Sequence, residues 1–399
     1  MTRKNGSGSV PRLRFPGFLE SPAWSEATLE ELSTTVTPPA KLQSSSYQAV
    51  GRFPIVDQSK ELVCGWTDDS DSIITESLPL IVFGDHTCVL KLVRQPFAQG
   101  ADGIKVLKAK STVDPEFLFQ ALSHRPLEAE DYKRHFSTLR KRRIYFPDIV
   151  TGEQQKVAQC LAPLDDLVAA QAQKVEALKA HKRGLMQRLF PREGESAPRL
   201  RFPESCGGAR WHRRRVASLL NKVARPVSVH PDLTYREIGI RSHGKGVFHK
   251  EAVSGRTIGS KRVFHVVKNA LVVNIVFAWE QAVATTSDSD EGMIASHRFP
   301  MFVAKPGECD VRFVKEFLLT KRGKELLGIA SPGGAGRNKT LGQKEFENLE
   351  IVVPESVEEQ SRIADVLALL DGRIAEESDK LDALQTHKGG LMQQLFPSS

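Results

Sequence analysis

Glu153 to Pro191 reads EQQKVAQCLAPLDDLVAAQAQKVEALKAHKRGLMQRLFP, and Glu359 to Pro397 reads EQSRIADVLALLDGRIAEESDKLDALQTHKGGLMQQLFP. The two stretches align without a gap at an offset of 206, and roughly half of their positions are identical. From Val157 to Leu189, and from Ile363 to Leu395, apolar residues recur in alternating steps of four and three. The exceptions are Gln171 and Lys182 in the first copy and Glu377 and Lys388 in the second. Such spacing keeps one stripe of side chains facing a partner helix, which is the signature of a coiled-coil seam. It predicts two long helices, each of about 35 residues and ~50 Å in length. Pro163 has no N–H to donate, so it is expected to kink the first helix near its start or to delay its onset. Gly184, Gly389 and Gly390 are expected to weaken the helix ends.

A second duplication marks where each unit begins. PRLRFP at Pro11 to Pro16 returns at Pro198 to Pro203, an offset of 187. A tryptophan follows each copy (Trp24 and Trp211), and then an apolar pair at helical spacing, Leu29 and Leu32 or Val216 and Leu219. Each unit therefore runs from PRLRFP through a variable segment into the long repeat, and the charged tract Arg192 to Ala197 is the seam. Trp24 and Trp211 are expected to be core anchors, and Trp279 to be buried as well. Because a whole variable segment separates the two helices, the partner of matched length for each apolar stripe is the other copy. Antiparallel packing would put one variable segment at each end of a rod.

The 399 residues, 40% hydrophobic and 26% charged, fit a soluble globular chain of two or three domains. A net charge of +8 and a pI near 9.2 favour a polyanionic partner, leaving nucleic acid, acidic protein and membrane surface open. No apolar run approaches the ~18 residues of a spanning helix, and Met1 to Val10 lacks a hydrophobic signal core, so a cytoplasmic protein is expected. The five cysteines form no C-x-x-C pair. Reduced structural thiols are expected rather than a disulfide framework or a zinc cluster.

The first variable segment reads as β-rich, with strands at Leu80 to Phe83 and Cys88 to Val93 around a turn at Gly84 to Thr87, another turn at Gly100 to Gly103, and a helix at Glu116 to Ser123. In the second, Val263 to Val267 and Leu271 to Phe277 read as strands and Val311 to Gly328 as a helix. Ser331 to Thr340, SPGGAGRNKT, is glycine-rich, but a P-loop counted from Gly333 needs its second glycine where Asn338 stands. The turn still offers backbone N–H groups and the donors Arg337, Asn338, Lys339, Thr340 and Gln343 to a phosphate backbone or base edges, or it is a plain structural loop. Arg236, Arg241, Ser242, Lys245, His249 and Lys250 cluster around Gly244 and Gly246, read either as a solvated basic face or as a flexible loop following a DNA contour. Lys91, Arg94, Arg134 and His135 give the first segment its own basic supply. Asp85-His86 has no nucleophile beside it, so a turn with local hydrogen bonds is the plainer reading. No Walker A, no Asn-Pro-Pro-Tyr or Asp-Pro-Pro-Tyr of amino-methyltransferases and no nuclease-like carboxylate pair with a lysine occurs in the sequence.

The paired Leu-Arg-Phe-Pro entries, the Pro-to-Glu-Gln junctions at Pro147 to Gln154 and Pro354 to Gln360, and the heptad helices ending Gly-Leu-Met-Gln-x-Leu-Phe-Pro together resemble the DNA-specificity (S) subunit of type I restriction-modification enzymes. The resemblance spans essentially the whole chain. It implies an α+β fold, with two mixed α/β target recognition domains separated by two long helices packed as an antiparallel coiled coil. The corresponding boundaries are 1–150 and 192–355 for the recognition domains and 151–191 and 356–399 for the helices. It further implies a non-catalytic subunit reading a bipartite DNA target, two methylation subunits bound to the helices, and a restriction motor subunit able to join. No cofactor is expected on this chain; S-adenosylmethionine, ATP and magnesium belong to the partners. Two rival readings are a coiled-coil scaffold, which leaves the two unlike basic segments unexplained, and an autonomous DNA-modifying enzyme, which needs a catalytic motif.

Overall fold

The protein is described by a computed structural model covering residues 9–101, 103–130, 133–205, 210–333 and 339–397. It comprises two compact units, residues 1–173 with 378–399 and residues 174–377. Each combines a sheet-rich body with part of both long helices, which run Glu153–Leu189 and Val357–Leu395.

In the first unit a four-stranded antiparallel sheet has the order Ser33–Val36, Ile104–Ala109, Leu80–Gly84, Leu90–Val93. The Leu80–Gly84 strand is apolar at every position because both of its faces are covered. Ile81 and Phe83 pack with the Pro115–His124 helix, whereas Leu80 and Val82 pack with Val56 and Phe97 of a second sheet. The Arg143–Phe146 strand returns to pair with Ser25–Thr28.

The second unit repeats this plan. Its first sheet has the order Leu220–Val223, Met301–Ala304, Leu271–Val273, Val283–Thr285, and Trp211–Arg215 pairs with Glu350–Pro354. Leu271 and Val273 face one core, while Val272 faces another that contains Ile238 and Ile240. The helix expected over Val311 to Gly328 is two helices, Val311–Leu319 and Lys321–Ile329. Thr320 separates them: its backbone is extended, and its hydroxyl accepts from Gly323 N at 3.0 Å as an N-cap.

The duplicated sequence motifs are duplicated clamps. Arg14 of the first PRLRFP donates from Nε and Nη2 to Glu153 at 2.7 Å each, and Arg201 of the second donates to Glu359 at 2.9 and 2.7 Å. Each glutamate stands at the start of a long helix, where a carboxylate is favoured by the helix dipole. The adjacent glutamines close each junction. Gln154 donates to Pro147 O and accepts from Asp114 N at 2.7 Å each, and Gln360 does the same with Pro354 O and Asp310 N at 3.0 Å each. Asp114 and Asp310 in turn cap the helices at Pro115–His124 and Val311–Leu319. The opposite helix ends are also tied: Leu13 N donates to Gln394 O and Leu200 N to Arg188 O, both at 2.9 Å.

Trp24 and Trp211 are core anchors as expected, at 0% and 7% exposure. In the first unit Phe396, from the Leu-Phe-Pro helix end, meets Trp24 and Phe117; in the second Phe190 meets Phe313. Burying one such ring contributes about 2–3 kcal/mol.

Within each unit the helix segments run antiparallel. In the first, Lys388 binds Asp165, which also accepts from Gln120. In the second, Lys182 binds both carboxylate oxygens of Asp371 at 2.6 Å and lies 3.6 Å from the buried Glu316, while Lys174 pairs with Glu377 at 2.9 Å. The polar seam residues Lys182, Lys388 and Glu377 thus hold ion pairs where the heptad stripe breaks. Polar groups at seam positions specify register. The first helix begins at Glu153 and continues through Pro163, so its onset is not delayed. Pro163 lies on the exposed side, where water can take the carbonyl that lacks an N–H partner. Among the described residues no helix is long and apolar enough to cross a membrane.

Candidate nucleic-acid interface

In the second unit the basic cluster lies on an antiparallel hairpin, Thr234–Ile240 with Val247–Ser254. Its tip turns through left-handed conformations at His243, Gly244 and Gly246, and a Cβ at Gly244 would lie 2.7 Å from Leu319. The tip is not the free loop expected from its glycines. His243 N donates to Glu280 O at 2.8 Å and Gly244 N to Gln281 O at 3.0 Å, while Ser242 Oγ donates to Glu280 Oε2 at 2.9 Å. Gln281 is itself fixed by donation to Leu318 O at 2.9 Å.

The same turn, Ala278–Glu280, meets the described end of the second candidate segment, from Lys339 onward. Lys339 places its ammonium 5.7 Å from the ring centre of Trp279, and Leu341 N donates to Ile275 O at 2.8 Å. Trp279 is half-buried rather than buried, and its ring faces the Lys339 ammonium. Its indole N–H donates to Val276 O at 3.2 Å. Ser242, Lys245 and Lys339 are thereby gathered around one turn. Thr340 is exposed next to them. Arg337 and Asn338 lie outside the described residues.

The remaining candidates sort by their partners. Lys250 and Lys261 both bind Glu237; burial pulls that carboxyl upward, but the two ammonium hydrogen bonds outweigh it and hold it below the ordinary range. His249 Nε2 faces Asp290 at 2.7 Å. Gln343 starts the Gln343–Asn348 helix and accepts from Lys222. Arg236, Arg241 and Lys245 are exposed and form no ion pair among the described residues. The hairpin therefore keeps three cations free for an outside anion. Glu280 and the half-exposed Trp279 belong to this surface without having been legible as site residues.

In the first unit two expected site residues are structural. Lys91 is 5% exposed, with its ammonium donating to Asp57 O at 2.8 Å and to Glu61 O, and burial pushes its pKa below the ordinary lysine range. It is a strut under residues 57–61, not a phosphate contact. His135 is 7% exposed and bonds Glu130 N through Nε2, so it too is withdrawn from a DNA surface. Arg94 is exposed but pairs with Glu116 at 2.9 Å, and Arg134 is exposed. Asp85 accepts from His135 N at 2.9 Å and Phe136 N at 2.8 Å, fixing the start of the Phe136–Arg140 helix. The segments around Gln58, Gly84 and Gly103 meet: Thr87 Oγ1 donates to Gln58 O at 2.8 Å, and a Cβ at Gly103 would fall 3.0 Å from Gln58 Oε1.

What the two bodies share is a framework, and what differs is the surface each presents. The sequence family described as the type I restriction modification DNA specificity domain matches residues 263–386, which include Trp279 and Lys339. The crystal structure of a type I restriction-modification S subunit from M. genitalium is 14% identical, covers 98% of this chain and 99% of its own, and superposes with a TM-score of 0.62. A chain from a study of type I assembly and conformational transition (13% identical, 97% and 100% covered) gives 0.44, and the HsdS subunit of Thermoanaerobacter tengcongensis (13%, 94% and 97%) gives 0.39. No curated protein matches by sequence. The chain thus shares the fold of a type I restriction-modification S subunit, and its residues 263–386 match the DNA specificity domain family.

Proposed function

We propose that the chain directs a type I complex to a bipartite DNA target, each unit reading one half and the paired helices setting the gap. It performs no chemistry itself. Two methylation subunits, which bring S-adenosylmethionine, and restriction subunits, which bring ATP and magnesium, assemble on it. The observation that carries this reading is the repetition of one buried framework, Arg-Glu clamp, Gln junction and sheet order, under two unlike surfaces. A scaffold alone has no use for two different faces on identical supports. Free Arg and Lys supply phosphate contacts, and donors at the hairpin tip supply base contacts.

Methylation mapping in cells with and without the chain tests the proposal. A methylated motif of two unlike half-sites separated by a fixed gap, present only with the chain, is expected. Heptad-compatible insertions in the helices should then change the gap and leave both half-sites unchanged. Unchanged spacing in those variants removes the ruler, and methylation by the purified chain alone removes the non-catalytic assignment.

A further inference from the structure

Gly239 lies inside the Thr234–Ile240 strand, directly opposite Phe248. A side chain there has no room, since a Cβ would fall 2.3 Å from Cζ and 2.4 Å from Cε1 of the Phe248 ring. Glycine weakens a strand interior and marks close approach of another group. Here the group is an aromatic ring lying over the strand. Two residues along and on the same face, Arg241 stacks its guanidinium on that ring, with Cζ 4.9 Å from the ring centre. Ile238 and Ile240, on the other face, enter the core, so the Gly239–Phe248–Arg241 stack looks outward.

Arg241 is exposed and forms no ion pair among the described residues, whereas the neighbouring Lys250 is occupied by Glu237. With Cζ 4.9 Å from the ring centre the ring occupies one side of the guanidinium, and a guanidinium that stacks keeps its N–H fork in its own plane, off the ring. A phosphate needs only a charge, which Lys245 at the tip already offers. A held plane with a defined donor edge matches the O6 and N7 acceptors of guanine in the major groove. Holding the side chain before binding also removes part of the rotamer freedom it would otherwise lose.

We infer that Arg241, carried by Phe248 over Gly239, reads a guanine in the half-site of the second unit. The inference rests on the bipartite DNA-specificity reading. It is tested by methylation mapping in cells carrying the full chain with its methylation subunit, comparing wild type with Arg241→Lys, Phe248→Leu and Gly239→Ala. Arg241→Lys keeps the charge and loses the fork. Discrimination for guanine at one position should fall by roughly 5- to 150-fold while the other half-site stays as stringent as before, showing that the protein is folded. Gly239→Ala, which displaces the ring without touching a charge, should relax the same position, and Phe248→Leu should do so more weakly.

An Arg241→Lys protein that methylates the wild-type motif with undiminished stringency overturns the assignment, as does relaxation at different positions in the Arg241 and Gly239 variants. A wild-type chain that yields no two-part motif removes the underlying reading, and the inference with it.

Discussion

Replacing Arg14 by methionine leaves the Glu153 carboxylate, 1% exposed, without its cation. The guanidinium it loses is 5% exposed and makes two bonds of 2.7 Å to Glu153, one of 2.7 Å to Ser21 O and one of 2.9 Å to Pro22 O. Breaking a buried pair from one side costs about 3–5 kcal/mol, mostly because a charge stays stranded in a poorly solvating site. Both partners are almost fully enclosed, so the upper part of that range is expected, with little dependence on salt. Urea unfolding followed by tryptophan fluorescence reads the effect through Trp24, which is fully buried in the same unit. With a slope of about 2 kcal/mol/M, a loss of about 4–5 kcal/mol should lower the midpoint by roughly 2–2.5 M. The double variant Arg14→Met with Glu153→Leu should recover most of the loss, because apolar groups of similar size need no counter-charge. A single variant costing under about 1 kcal/mol, or a double variant as unstable as the two singles summed, would refute the clamp as the element joining entry motif to helix.

Arg201→Met should act in the same way on the second unit, toward the lower end of that range because Arg201 is 17% exposed; an unchanged midpoint there would break the equivalence. Lys339→Ala should weaken DNA binding evenly across sequences and reduce the slope of log K against log salt by about 0.9, measured by titration at several salt concentrations. Lys91→Met should leave that salt slope unchanged and lower stability by about 1–3 kcal/mol, since it removes a strut and no phosphate contact. Burial pushes the thiols of Cys64 and Cys309 up to about 11 and about 12 from 9.0, so both should resist iodoacetamide at pH 8 in the native protein and react on unfolding. Because these folded values are raised, the stability tied to the neutral thiols is complete below about pH 9 and is lost as pH rises through about 11 for Cys64 and about 12 for Cys309; Cys309→Ala should flatten part of that alkaline decline in a denaturation series.

The heptad stripe and the two duplications carried most of the architecture, because they report constraints that act locally: a helix face must stay apolar and a junction must repeat. The helices begin and end within two residues of the expected stretches. Short-range patterns failed where a single capping hydrogen bond decides, as at Thr320, whose hydroxyl splits one apolar-periodic stretch into two helices. Strand lengths were overread for the same kind of reason: Leu271 to Phe277 pairs only through Val273 before the chain bends into the Trp279 turn. At the interface, residue type alone could not separate a cation aimed outward from one turned inward. Lys91 and Arg241 look alike as basic residues, yet one ends on two backbone carbonyls and the other, itself exposed, on a half-buried ring. That difference depends on residues 34 and 7 positions away, beyond the reach of a local pattern.

The bonds from Leu13 to Gln394 and from Leu200 to Arg188 are the same joint made twice, once between distant parts of the chain and once across a short tract. A joint that forms in either setting does not depend on covalent order. Genetic exchange with crossovers at these joints could replace one variable surface by another while every buried Arg-Glu pair and glutamine bond finds its usual partner. New surfaces then arise by shuffling whole bodies rather than by accumulating point changes, and the hydrophobic interior never has to be re-evolved.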